Sequence, residues 1–182
     1  MRSFEYFTPT RVVFGKDTHL KVATLLKEQH CKKVLIHYGG HSAIKSGLID
    51  EIRSVLDEAG IAYVTLGGVV PNPRLSKVRE GIELCRRENV DFLLAVGGGS
   101  VIDSCKAIGY GLANPETDVW NFFLRTETPK ACLPVGAVSY THLVYFPYFV
   151  SCFCQFFHNR SLTSARSAPG CPEIYQYRFL CI

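Results

Sequence analysis

Asp91-Phe-Leu-Leu-Ala-Val-Gly-Gly-Gly-Ser-Val-Ile-Asp103 is the stretch that decides the fold. Phe92–Val96 is an unbroken apolar run, the pattern of a strand buried on both faces of a parallel sheet. Three glycines and a serine follow, and residues 101–112 then read as an apolar helix. A strand ending in a glycine turn that opens a helix presents backbone N–H groups to an anion, and the helix end adds roughly half a positive charge. Consecutive glycines cost roughly 0.5–1 kcal/mol each relative to alanine, more than a bare structural turn calls for. Gly97, Gly98, Gly99 and Ser100 are therefore candidate phosphate-binding residues, with Ser100 a hydroxyl donor. Asp103 lies one turn further on, near the same ligand.

Strand-like and helix-like segments alternate on either side. Residues 4–8 and 12–14 read as short strands flanking Pro9, a hairpin or edge element. Asp17 is placed to cap a helix whose apolar face uses Leu20, Ala23 and Leu26. Residues 34–38 form a buried strand that runs into Gly39-Gly40. Leu48, Ile49, Ile52, Val55, Leu56 and Ala59 keep helical spacing, and Gly60 stands where a helix-ending glycine belongs. A strand at 61–66 leads into a loop at 67–73, and Leu75, Val78, Ile82 and Cys85 mark the face of the next helix. Residues 131–138 complete the series as a further strand. Strands joined by single helices imply right-handed crossovers and a doubly wound parallel α/β sheet, with ligands beyond the carboxyl ends of the strands. Gly39-Gly40 and the 97–100 turn both fall at that edge.

Composition narrows the partners. The formal net charge of +4 comes without any Lys/Arg block, which gives no reason to expect nucleic acid. Arg2 and Glu5 interrupt the N-terminus, which does not read as a signal peptide. Cys31, Cys85, Cys105 and Cys132 are scattered singly, as small buried thiols of a cytoplasmic protein would be. Neither glycine cluster is G-x-G-x-x-G, and P-loop, G-x-S-x-G and H-E-x-x-H motifs are absent. His19, His30, His37 and His41, four of the six histidines, lack metal-ligand spacing and read as ordinary residues. Gly40 and Ser42 in the first loop, with Asn72 between two prolines, are candidates for the adenosine half of a cofactor, a structural turn being the alternative. Residues 139–182 differ in kind: they hold half of the aromatics, three arginines, one acid and no lysine. Their longest apolar stretch, 143–157, is shorter than the ~20 residues that span a bilayer, so no membrane partner is expected.

The residues also carry a resemblance. Thr8-Pro-Thr-Arg-Val-Val-Phe-Gly15, Leu35-Ile-His-Tyr-Gly-Gly-His-Ser42, Gly68-Val-Val-Pro-Asn-Pro-Arg-Leu-Ser76, the Gly-Gly-Gly-Ser-x-x-Asp-x-x-Lys element ending at Lys106, and Asp118-Val-Trp-Asn-Phe-Phe123 resemble the N-terminal domain of the iron-containing (group III) alcohol dehydrogenases, butanol dehydrogenase subgroup. The resemblance implies a Rossmann-like dinucleotide-binding domain over 1–138, followed in the family by an all-helical domain that binds iron or zinc. It implies hydride exchange between NADP(H) and a primary alcohol or aldehyde, with NAD as the alternative cofactor, and a homodimer for the intact family member. By carry-over, Gly97, Gly98, Gly99 and Ser100 hold the pyrophosphate, Asp103 lies near the nicotinamide, and Gly40, Ser42 and Asn72 touch the adenosine half. The first loop has no acid to repel a 2′-phosphate, which favours NADP, and His41 replaces a customary glycine. Residues 139–182 read as an aberrant tail outside the family, artefactual or disordered, in which the helical domain and its metal ligands are missing. The chain as written is expected to lack turnover and to bind NADP weakly or not at all. The rival readings are a dehydroquinate synthase-like enzyme on the same scaffold and a non-catalytic nucleotide-binding or membrane-associated module.

Overall fold

The computed structural model describes residues 10–40, 42–139 and 178–181 of the 182. Along the chain come β1 (Val12–Gly15), a 3-10 turn (Thr18–Lys21), α1 (Val22–Glu28), β2 (Lys33–Gly39), α2 (Ser42–Lys45), α3 (Leu48–Ala59) and β3 (Ala62–Val69). They are followed by α4 (Leu75–Glu88), β4 (Phe92–Val96), α5 (Gly99–Ala113), α6 (Val119–Leu124), β5 (Val135–Ser139) and β6 (Arg178–Cys181). The strand expected at 4–8 lies outside the described residues, as does His41.

Six strands form one sheet in the order β1-β6-β5-β4-β2-β3. β3, β2, β4 and β5 are parallel, joined by helical crossovers, so the doubly wound α/β core is present as expected. The flank differs: β6 pairs antiparallel with both β5 and β1. Four residues are too few for alternation to register, which is why this strand left no pattern in the sequence. Its place is set by backbone bonds to its neighbours. The rest of the 140–182 segment lies outside the described residues.

Alternate side chains feed two apolar layers, because successive residues of a strand face opposite sides. Val34, Ile36, Phe92, Leu94 and Val96 pack against Leu26, Leu48, Ile49, Ile52 and Leu56 of α1 and α3. Leu35, Leu66, Leu93 and Ala95 pack against Val78, Ile82, Val101, Cys105 and Ile108 of α4 and α5. All five residues of β4 are buried, the signature its unbroken apolar run carried. α4 and α5 interlock closely. A Cβ on Gly111 would come within 2.3 Å of Ile82 Cδ1, and one on Gly81 within 2.4 Å of Ile108 Cδ1. Each isoleucine thus fills the hollow left by a glycine of the other helix.

Two local expectations need correction. Asp17 caps no α-helix: it precedes the 3-10 turn with φ 56° and makes no side-chain cap bond. The α-helix proper starts at Val22, and Leu20 is 48% exposed rather than part of its apolar face. Strand β3 also outruns its expected end at Leu66, continuing through Gly67 and Gly68 to Val69. The reason lies across the sheet. The register passes from His37 opposite Leu66 to Gly39 opposite Val69, so β3 carries one extra residue, a β-bulge. Gly68 takes φ +85°, and a Cβ on Gly67 would strike the Tyr38 ring at 2.5 Å. Both glycines serve the bulge rather than a loop.

Candidate functional site

The strand order reverses between β2 and β4, since β2 leads outward to β3 while β3 returns past β2 to β4. Ligands of doubly wound sheets settle in the crevice outside the carboxyl ends at such a switch point. Here Tyr38 lies opposite Val96 in the ladder, so the two glycine segments that follow, Gly39-Gly40 and Gly97-Gly98-Gly99-Ser100, leave adjacent strands side by side. Asn72 follows β3 on the outer side of the same edge. It stands at φ 59°, a left-handed conformation that asparagine tolerates better than most residues. Every candidate site residue read from the sequence is thus at one edge of the sheet.

The turn after β4 is shaped by packing. Gly97 N–H bonds Val138 O at 3.0 Å, which ties the turn to β5. A Cβ at Gly97 would meet Val101 Cγ2 at 2.7 Å, whereas one at Gly99 would meet nothing within 4 Å. Gly97 is therefore glycine because the helix closes over it, and Gly99 faces open space. The first bonds of α5 run from Val101 and Ile102 N–H to Gly98 O, at 3.0 and 3.2 Å. The N–H groups of Gly99 and Ser100 precede them and point out of the helix end. A 15-residue helix with two such donors and vacant space beside them fits a pyrophosphate.

One stripe of α5 carries the polar groups. Ser100, Asp103 and Lys106 are each half-buried on the side that leaves the sheet. Burial pushes the Asp103 carboxyl up, and the Lys106 ammonium opposes the shift. Burial lowers Lys106 in turn, with Asp103 opposing. Gly40 and Ser42 are exposed, Ser42 at the start of α2. A hollow of about 220 Å³ lies at the carboxyl end of β3, lined by Gly68, Val69, Val70, Arg74, Ser76 and Lys77. A larger one, about 320 Å³, sits between α4, α6 and the C-terminal end of α5, next to Arg79, Arg86 and Asp118. Crossover helices run back against their strands, so that hollow belongs to the opposite edge and not to the glycine turns.

His37 is the residue whose part the sequence reading missed. It is fully buried on β2, two residues before Gly39. Its Nδ1 lies 2.7 Å from Leu66 O and its Nε2 2.8 Å from Ser104 Oγ. A carbonyl oxygen only accepts, so Nδ1 carries the proton and the Ser104 hydroxyl donates to Nε2. Burial drives the ring's pKa down to about 4. The available signal was a histidine within a buried strand, since buried polar groups demand partners. Among the described residues no group of three or more His, Cys, Asp or Glu side chains that could hold a metal comes together.

Comparison with known proteins sets this geometry in context. The family profile described as "Iron-containing alcohol dehydrogenase" matches residues 9–142. The chain is 44% identical over 138 residues to the "Probable NADH-dependent butanol dehydrogenase 1" of Bacillus subtilis (strain 168), covering 76% of this chain and 35% of that protein. It is 39% identical over 143 residues to the NADPH-dependent aldehyde reductase YqhD of Escherichia coli (strain K12), again covering 76% and 35%. The crystal structure of the NADH-dependent butanol dehydrogenase A of Thermotoga maritima superposes with a TM-score of 0.71 at 37% identity, covering 77% of this chain and 39% of that one. The chain spans about a third of the length of the curated relatives it matches. No helix among the described residues is long and apolar enough to cross a membrane.

Proposed function

The chain belongs to the iron-containing alcohol dehydrogenase family, and from that membership we propose that residues 1–138 are the dinucleotide-binding part of an alcohol dehydrogenase or aldehyde reductase. Its cofactor is NADP(H), and its substrates are a primary alcohol and the corresponding aldehyde. The observation that carries this reading is the juxtaposition of two glycine turns on adjacent parallel strands at the switch point, one of them opening a long helix. The N–H groups of Gly99 and Ser100 bind the pyrophosphate, with the Ser100 hydroxyl as a further donor. Asp103 and Lys106 flank the nicotinamide end, and Gly40, Ser42 and Asn72 flank the adenosine end. The bound nicotinamide supplies or accepts the hydride.

NADP is favoured over NAD because the Gly39-Gly40 turn carries no acid and because Arg74 and Lys77 line the hollow beyond β3. Lys77 also bridges Glu80 at 2.7 Å, which leaves Arg74 as the stronger attraction for a 2′-phosphate. NMR titration of the whole chain with millimolar NADPH and NADH tests the reading. The amides of residues 97–102 should shift with both cofactors, and the shift should saturate at lower NADPH than NADH. Arg74→Ala should narrow that preference by about tenfold, about 1.4 kcal/mol of a charge-assisted contact. Unmoved amides in the 97–102 turn at saturating NADPH would sink the proposal.

A further inference from the structure

Three elements that end at the ligand edge meet at one buried imidazole. His37 lies on β2 just before Gly39, Leu66 O lies on β3 just before the Gly67-Gly68 bulge, and Ser104 lies on α5 one turn beyond Ser100. Both His37 and Ser104 are wholly buried. The other groups around the ring do not compete for these contacts: Lys77 and Glu80 of α4 act on it only through space and in opposite directions. Apolar packing of Ile102, Cys105 and Ile108 holds α5 against the sheet but is non-directional, so by itself it leaves the helix free to slide or roll slightly. A hydrogen bond of 2.8 Å to a ring that is itself fixed at 2.7 Å is directional and removes that freedom.

We propose that His37 is a positioning residue: through Ser104 it fixes the N-terminal turn of α5 against the loop after β2, and through Leu66 it fixes the bulge of β3. The two glycine turns then face a single ligand in a set relation. The functional side of this proposal rests on the dinucleotide reading given above. The placement of the helix does not.

The test uses the whole chain, isotope-labelled, as wild type, His37→Asn, Ser104→Ala and the double variant. Asparagine keeps a donor where Nδ1 stands and loses the acceptor for Ser104. Ile36→Ala, on the same strand but facing the other apolar layer, serves as a control that loses stability without touching these bonds. Without ligand, the amide resonances of residues 98–102 should move in both single variants, and their hydrogen exchange should quicken by at least about tenfold. The double variant should change no more than either single one, because both remove the same link. With millimolar NADPH, both variants should need several-fold more cofactor for the same shift, while Ile36→Ala keeps the wild-type response. Amides of 98–102 that coincide with wild type, or that move equally in Ile36→Ala, overturn the proposal. Additive changes in the double variant overturn it as well. A wild-type chain that ignores NADPH defeats the dinucleotide reading alone, since the ligand-free amides still decide the placement. Where His37→Asn does not fold, Ser104→Ala carries the same reading with only a hydroxyl removed.

Discussion

Replacing Gly97 by alanine tests the packing of the glycine turn after β4 most directly. The added Cβ would sit 2.7 Å from Val101 Cγ2 and 3.2 Å from its Cβ. Valine in a helix is held almost entirely in one χ1 rotamer, so Val101 has little room to swing aside. The backbone has little room either, because Gly97 N–H is held by Val138 O at 3.0 Å and φ already stands at +157°. Overpacking of this kind typically costs about 1–3 kcal/mol. The gain from a less flexible unfolded chain, about 0.4–1 kcal/mol, offsets only part of it. The expected net loss is about 1 kcal/mol, which for a chain of this size lowers Tm by roughly 2–4 °C. Urea unfolding followed by circular dichroism measures it, with Val101→Ala as the second arm. If the clash is the cause, the double variant Gly97→Ala/Val101→Ala should be less destabilised than the sum of the singles by at least about 1 kcal/mol. A Gly97→Ala protein as stable as wild type, or strictly additive singles, would refute the reasoning.

Other substitutions separate stability from binding. Gly99→Ala meets nothing within 4 Å, so stability should hold or rise by up to about 0.5–1 kcal/mol, while the NADPH-induced amide shifts disappear because the methyl fills the ligand's space. Wild-type NADPH shifts in Gly99→Ala would place the ligand elsewhere. His37, whose pKa falls from 6.5 to about 4 through burial, with Lys77 lowering and Leu66 and Glu80 raising it, stays neutral in the fold while the unfolded ring gains a proton first. Stability should therefore decline as pH falls from about 6.5 to 4, by about 3 kcal/mol, and His37→Asn should flatten that slope in urea titrations. Asp91 behaves similarly further into acid. Burial alone would raise its carboxyl, but the backbone N–H groups of Lys33 and Lys32 outweigh it and hold the pKa below 3.8. Its contribution is present above the unfolded value and lost as pH drops through the lower folded one. Asp91→Asn should cost stability at pH 7, and the difference from wild type should shrink as the pH falls below the ordinary carboxylate range.

What the sequence revealed was mostly local. α3 and α4 could be read from their spacing, and Gly60 from its place, because helix faces and helix ends are written in consecutive residues. β4 and its glycine turn were equally plain. What escaped depended on distant partners. Gly67 and Gly68 passed for a loop because the Tyr38 ring that makes them necessary lies on another strand. His37 passed for an ordinary residue because Ser104 follows it by 67 residues. Asp17 had the composition of a cap without its geometry, since its left-handed φ turns the carboxylate away from that role. Asp118 is the contrary case: it accepts from Trp120 N–H at 2.8 Å and caps α6, a signal that the sequence held in an acid just before an apolar run.

The antiparallel flank has a consequence in time. β2, β3, β4 and β5 lie between residues 33 and 139, so their parallel ladder can close while synthesis is still under way. β1 has β6 as its neighbour in the sheet, and β6 begins at Arg178. Until that late segment leaves the ribosome, β5 stands as an open edge and Val12 and Phe14 have no ladder to join. Pairings so far apart along the chain form slowly, and open strand edges recruit other chains. The nascent protein therefore passes through a stage in which the edge carrying its two glycine turns is already built while its flank is still adhesive.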